Sequence, residues 1–350
     1  MGHNDQRMIG TGYAEAHHGE ILQGVFQDNA ELKRALVTLR CPTHISHATF
    51  YPSHDHPEIT VPSGMWKVHN AAVSSMAAFS TGRSRAVGGF VLIASAVPRG
   101  IGMGSSTADV TATIRAVANF HGVTPSAEEI AKIAVQAELA SDPIMIDDRL
   151  VLFAHRDGVV LESFGRRFPP MVVVGCDADP YANGVDTVAL SPAVYTVDDI
   201  DAFRHLLAEL RAAVAHGDVA RLGRVATASA LISQRFLAKP AFEFLLDTCR
   251  RSGGCGVQVA HSGTVAGIIF DPSQPGAAGR IERCLDRISS AGLPLTVIIN
   301  TGISSTRTPG QDRSLGRGSP RRAATAVPSP SLACSRAAPS GGPKQRTTCT

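Results

Sequence analysis

Apolar and polar positions along the chain repeat with two periods. Residues 44–51 alternate, with Ile45, Ala48 and Phe50 set among polar neighbours, which predicts a half-buried strand. Shorter apolar runs at 9–12, 35–39, 88–97, 150–154, 159–163, 171–176, 265–270 and 294–299 also read as strands. Asp157-Gly158 between two such runs signals a hairpin turn. Elsewhere the period lengthens to that of a helix. Met65, Val68, Ala72, Met76 and Phe79 make one stripe, with Ser63 as its cap, Gly82 as its stop and Trp66 as packing. Val110, Ile114, Val117 and Ala118 make another, within a helix over 105–121 that Gly122 ends. A third helix starts at Thr124-Pro125, with Glu128 and Glu129 favouring its dipole, and runs to about Ala140. Four further helices are predicted at 197–216, 218–236, 240–251 and 277–290, the first with Leu206, Leu207, Leu210 and Val214 as its stripe. Arg166-Arg-Phe-Pro-Pro170 breaks both patterns and marks a domain boundary, giving domains 1–166 and 167–302.

Beyond residue 302 the periodicity ends. Ser, Pro, Arg, Thr, Gly and Ala dominate 303–350, a composition that cannot bury enough surface to offset chain entropy, so a disordered basic tail is expected. Charge follows the same division. The tail holds eight Lys/Arg against one acid, leaving 25 basic and 29 acidic residues in the first 302. The body therefore lacks the composition of a nucleic-acid-binding surface, and any such role would belong to the tail. Of the seven cysteines, the five in the first 302 residues (Cys41, Cys176, Cys249, Cys255, Cys284) form no C-x-x-C, an odd set that suits reduced thiols in the cytoplasm. The first residues show no apolar signal region, and no apolar run reaches 18 residues, so neither export nor a membrane partner is expected.

One stretch carries the chemistry. In Pro98-Arg-Gly-Ile-Gly-Met-Gly-Ser-Ser-Thr-Ala-Asp109 a strand leads into a glycine bend, and a helix leads out of it. Gly100, Gly102 and Gly104 let the backbone approach a ligand closely, while Ser105 and Ser106 open the helix. Free N–H groups and the positive end of the helix dipole make such a place an anion site. The spacing excludes a Rossmann fingerprint, and no Gly-Lys pair exists for a Walker loop. His155-Arg-Asp157 is not a protein-kinase catalytic loop, because Glu162 stands where Asn is required. His54 and His56 have no third ligand near them and read as a solvated loop.

The stretch resembles the second motif of the GHMP kinases, with Met103 in place of Leu and Thr107 in place of Ala. Gly19-Glu-Ile-Leu-Gln-Gly24 resembles the first motif, and Gly256-Val-Gln-Val-Ala-His-Ser-Gly263 the third, both in the wording of the L-threonine kinase branch. The resemblance implies an α+β, two-domain GHMP kinase fold: a ribosomal protein S5 domain 2-like N-terminal domain and a ferredoxin-like C-terminal domain. It implies ATP and Mg²⁺ as cofactors and a hydroxyl amino acid as the small-molecule partner, L-threonine first and homoserine next. In the family, the phosphothreonine product feeds cobalamin synthesis. It implies that Pro98, Gly100, Gly102, Met103, Gly104, Ser105, Ser106 and Thr107 hold the nucleotide, and that Ser106 and Glu138 hold Mg²⁺. Asp142 or Asp147 would take the acceptor's proton, and Glu20, Gln23, Gly24 and His261 would touch the acceptor. His261 alone also reads as a satisfied core histidine. A GHMP-fold sensor that binds a metabolite without turnover is the rival reading from another class.

Overall fold

The computed structural model describes residues 9–80, 88–165, 167–182 and 193–302. The predicted tail and the Gly82 stop lie outside the described residues. Strands β1 (Gly10–Asp28) and β2 (Glu31–Ser53) form a long antiparallel hairpin. Then come β3 (Ile59–Thr60), α1 (Trp66–Phe79), β4 (Gly88–Ser95), α2 (Ser105–Phe120) and α3 (Ala127–Glu138). A 3₁₀ turn (Pro143–Met145) leads to the hairpin β5 (Leu150–Ala154) and β6 (Val159–Gly165). The remainder is β7 (Val172–Asp177), α4 (Val197–His216), α5 (Val219–Ser233), α6 (Phe242–Ser252), β8 (Gly256–Val259), β9 (Val265–Phe270), α7 (Ala277–Ser290) and β10 (Leu295–Asn300).

One sheet runs through all of this in the order β10-β7-β9-β8-β1-β2-β4-β3, with β5 pairing β2 and β6. The two parts of that sheet meet at a single rung, Glu20 opposite Val259. Helices α1 and α2 cover the first part. Gly12 lets α2 lie close on β1, since a Cβ there would sit 2.3 Å from the Ala112 carbonyl oxygen. The larger core runs through both parts, reaching Phe203, Leu222 and Ile269 beyond the joint. Ile114, Val117, Phe50 and Leu22 belong to the larger one, and Val174, Leu245, Ile268 and Ile288 to a smaller one under α6 and α7.

The predicted elements are found, with instructive shifts. The segments predicted at 9–12, 35–39 and 44–51 are parts of two long strands. The polar run His17-His18-Gly19-Glu20 hides the alternation of β1, and an irregularity around Pro42 splits β2, where the register jumps between Glu15–Ile45 and Ala16–Cys41. Helix α3 begins two residues after Pro125, because Ser126 forms a capping box with Glu129. Helix α1 starts after Met65 with no side-chain cap, so Ser63 does not serve there. Trp66 is corrected from packing to surface: it is 50% exposed, with Lys67 Nζ 5.7 Å from its ring centre. His54 and His56 stand in an exposed loop, as expected.

Candidate active site

The glycine bend opens onto a cleft of about 250 Å³. Gly100, Gly102, Gly104 and Ser105 to Thr107 line it on one side, with Lys67, Glu138, Asp142, His155, His261 and Ser262 around the rest. Helix α2 starts at Gly104, which is left-handed (φ 72°) and offers no side-chain cap. The first N–H groups of the helix therefore have no intrahelical acceptor and face the cleft. A side chain at Gly104 is excluded as well, because a Cβ would come 2.2 Å from His17 Cδ2. The bend is fixed from three directions. His17 N donates to the Met103 carbonyl at 3.2 Å, and Thr264 N and Val265 N donate to Ile101 at 2.9 and 3.0 Å. Arg99 Nη2 reaches buried Asp109 at 2.7 Å, which also accepts from Ser46 Oγ at 2.6 Å.

Two buried acids face this cleft from the end of α3. Glu138 Oε2 accepts from Ser106 Oγ at 2.7 Å and lies 3.7 Å from Lys67 Nζ, while Oε1 has no hydrogen-bond partner. Desolvation pushes its carboxyl up to about 6. An orphaned carboxylate oxygen beside a serine hydroxyl suits a hard cation that takes oxygen ligands, so the pair fits Mg²⁺. Asp142 is the opposite case. Burial alone would raise its carboxyl, but His17 and then His261 hold it well below the usual carboxylate range. His17 Nε2 donates to Asp142 Oδ2 at 2.9 Å, and Thr107 Oγ1 stands 3.5 Å from the same oxygen.

Behind Asp142 lies Glu20, whose side chain is fully buried. His261 N donates to Glu20 Oε2 at 2.7 Å and His261 Nδ1 to Oε1 at 3.0 Å. Burial works against the His261 imidazolium, but Glu20 and then Asp142 overcome it and raise this group to about 9. The same contest raises His17, with Asp142 as its main support. His155 goes the other way, down to about 3, because burial and the neighbouring His261 both oppose its charge.

The cleft continues into a larger cavity of about 410 Å³, sharing Lys67, Glu138, His155, His261 and Ser262 as common wall. Gln23, Gly24, Arg34, Arg156, Tyr195 and Phe236 line its far side.

The structure thus brings together most of the residues that the sequence singled out. Pro98 does not line the cleft, and the Met103 side chain is fully buried. Glu20 lines neither cavity and is hydrogen-bonded to His261, which lines both. Asp147, the other candidate proton acceptor, stands apart from the cleft. Buried Pro143 to Ile146 turn the chain, leaving Asp147 in a separate cavity, its side chain 55% exposed and 3.3 Å from Arg115 Nη2. Sequence reasoning missed His17, Lys67 and His155. His17 had a signal, a histidine pair directly before Gly19; His155 was hidden in a hairpin turn; Lys67 had none.

This geometry agrees with comparisons to known proteins. Residues 68–148 match the GHMP kinases N terminal domain, and 210–288 match the GHMP kinases C terminal. The chain belongs to the GHMP kinase family. It is 30% identical over 193 residues to an L-threonine kinase of Citrobacter freundii, covering 51% of this chain and 61% of that protein. It is 28% identical to an L-threonine kinase of Salmonella typhimurium over 193 residues, covering 51% and 59%. The chain thus spans about three fifths of the length of the curated relatives it matches. Among solved structures, homoserine kinase from Cytophaga hutchinsonii superposes with a TM-score of 0.63 at 14% identity, covering 86% of this chain and 98% of that one. Mevalonate kinase from Staphylococcus aureus gives 0.55 at 16%, covering 84% and 99%. The expected GHMP kinase fold, mixed α and β, is the one observed. Among the described residues, no helix is long and apolar enough to cross a membrane.

Proposed function

We propose that the chain is an ATP-dependent small-molecule kinase that phosphorylates the side-chain hydroxyl of an amino acid, L-threonine before homoserine, in the cytoplasm. One observation carries the reading. A helix start with free N–H groups, the Ser106–Glu138 pair and Asp142 converge on one cleft. The curated relatives named as L-threonine kinases support the choice of acceptor. The two family matches fall on either side of the boundary proposed at 166–167.

Phosphoryl transfer asks mainly for positioning and charge neutralisation. The N–H groups from Gly102 to Ser106 would hold the β- and γ-phosphates, with Lys67 at the cleft wall to balance their charge. Ser106 and Glu138 would hold Mg²⁺, which draws charge off the transferring phosphoryl group. The acceptor lies in the larger cavity, its hydroxyl directed at Asp142. As its oxygen bonds to the γ-phosphorus and the bond to ADP breaks, that oxygen becomes acidic. Its proton passes to Asp142, whose carboxylate stays ionised beforehand because two imidazoles hold it so.

The test is ADP release with L-threonine, L-serine and L-homoserine, followed by detection of the phosphoamino acid. Turnover with L-threonine at the highest kcat/KM is expected. Tight ATP binding with no ADP from any acceptor would favour the sensor.

A further inference from the structure

Behind the cleft, four side chains alternate as carboxylate, imidazole, carboxylate, imidazole. His17 joins Asp142 (2.9 Å) to Glu20 (3.8 Å), and His261 joins Glu20 (3.0 Å) back to Asp142 (3.9 Å). All four are buried or nearly so. His17 Nδ1 faces Glu20 beyond hydrogen-bond reach and has no other partner among the described residues. A fully buried imidazole nitrogen without an acceptor is costly. Ligand atoms of His17, Glu20 and Asp142 lie within 4.8 Å of one another.

We propose that this ring is a second cation site, distinct from Ser106 and Glu138, that takes a zinc-like divalent ion, and that occupancy arrests phosphoryl transfer. The donor set selects the metal. Two imidazoles and two carboxylates suit Zn²⁺ or Co²⁺, whereas Mg²⁺ wants oxygen and water. Three of the four, His17, Glu20 and Asp142, already lie within 4.8 Å of one another, and tetrahedral bonds of about 2.1 Å set ligand atoms about 3.4 Å apart, so a contraction of about 1.4 Å at the widest edge, with His261 turning in from the cleft wall, closes the site. The charge balance favours exchange. Two buried carboxylates need two positive charges, which either two imidazoliums or one divalent ion beside two neutral imidazoles can supply. Entry of the metal sends the two imidazole protons to water. The route is the cleft itself, which Asp142 and His261 line with side chains 11% and 20% exposed. A metal on Asp142 removes the group that faces the acceptor hydroxyl; this inhibitory half rests on the proposed function, and the binding half does not.

The experiment uses tag-free full-length protein without ATP or Mg²⁺. Co²⁺ titration followed by visible absorption should show one equivalent with a tetrahedral spectrum. Competition with a chromogenic chelator should show Zn²⁺ affinity falling at least tenfold in His17→Ala and in His261→Ala and surviving in Glu138→Gln. Should His17→Ala fail to fold, His261→Gln and Glu20→Gln carry the test. Zn²⁺ affinity unmoved by either histidine, or lost with Glu138→Gln, overturns the site. With Mg-ATP and L-threonine present, Zn²⁺ should suppress turnover and a chelator should restore it; full turnover with zinc bound overturns the inhibitory half. A normal Co²⁺ spectrum in a protein that releases no ADP from any acceptor would sink the kinase reading and leave the metal site standing.

Discussion

Glu138 and Asp142 stand four residues apart, both buried and both on the same cleft, yet their surroundings drive them in opposite directions. Glu138 has a serine hydroxyl, a lysine at 3.7 Å and one oxygen with no partner, and desolvation wins. Asp142 has two imidazoles, and they win over the same desolvation. Burial alone therefore says little about an acid's role. What decides is whether the protein has already supplied the counter-charge. Glu138 keeps one oxygen unmatched by any counter-charge of the described residues, and Asp142 is held ionised from within.

Substitutions can break that contrast, and the largest effect should come at Glu138. Glu138→Gln should lower kcat with Mg-ATP by about 10³-fold, the scale of a lost electrostatic element at a transferring group. Little recovery is expected on raising Mg²⁺, and a titration of rate against Mg²⁺ checks it. Asp142→Asn should cost about 10²-fold in kcat, at the low end for a proton acceptor, because a carboxylate held so acidic is a weak base. ATP affinity, read by calorimetry, should change little. Equal losses in kcat and ATP affinity would mean that Asp142 is structural.

Gly104→Ala tests the bend rather than the acids. A left-handed position and a 2.2 Å approach to His17 should together cost about 2 kcal/mol or more in chemical denaturation, and ATP binding should weaken with it.

The ring around Asp142 also sets a pH dependence. The His261 imidazole is raised to about 9 from an ordinary 6.5, so its contribution is fully present below 6.5 and is lost as pH climbs through 9. Lys239, lowered by burial to about 8, works in the opposite sense above that pH. The readout is therefore the difference between wild type and His261→Gln. That difference should shrink by about 2 kcal/mol between pH 6.5 and 9.5 in thermal or urea unfolding. Smallest of all, Asp147→Asn should leave kcat within about twofold, as for a surface acid whose side chain is paired with Arg115 at 3.3 Å.

Much of this was legible in the chain. The glycine bend at 100–104 and the helices with clean stripes follow from local pattern, and local pattern is what a sequence records; the pairing of Ser106 with Glu138, 32 positions apart, came only from the resemblance to the GHMP kinases. The ring was not legible. His17, Glu20, Asp142 and His261 come from three distant segments, and only the meeting of β1 with the 3₁₀ turn and the β8–β9 loop makes them neighbours. The same residues blurred the reading of β1, because polar side chains aimed into a site break the alternation that identifies a strand. Choosing between Asp142 and Asp147 needed one turn of backbone, which four buried apolar residues fix and which no motif spacing encodes.

The sheet is continuous, but only one rung, Glu20 opposite Val259, stitches its two parts along β1 and β8. Two positions further along, His261 grips the Glu20 carboxylate. A crease at that rung would pry the same imidazole from the same carboxylate. Glu20 therefore serves twice, as the backbone joint of the sheet and as the carboxylate that holds His261, so one residue ties the two parts together by both routes.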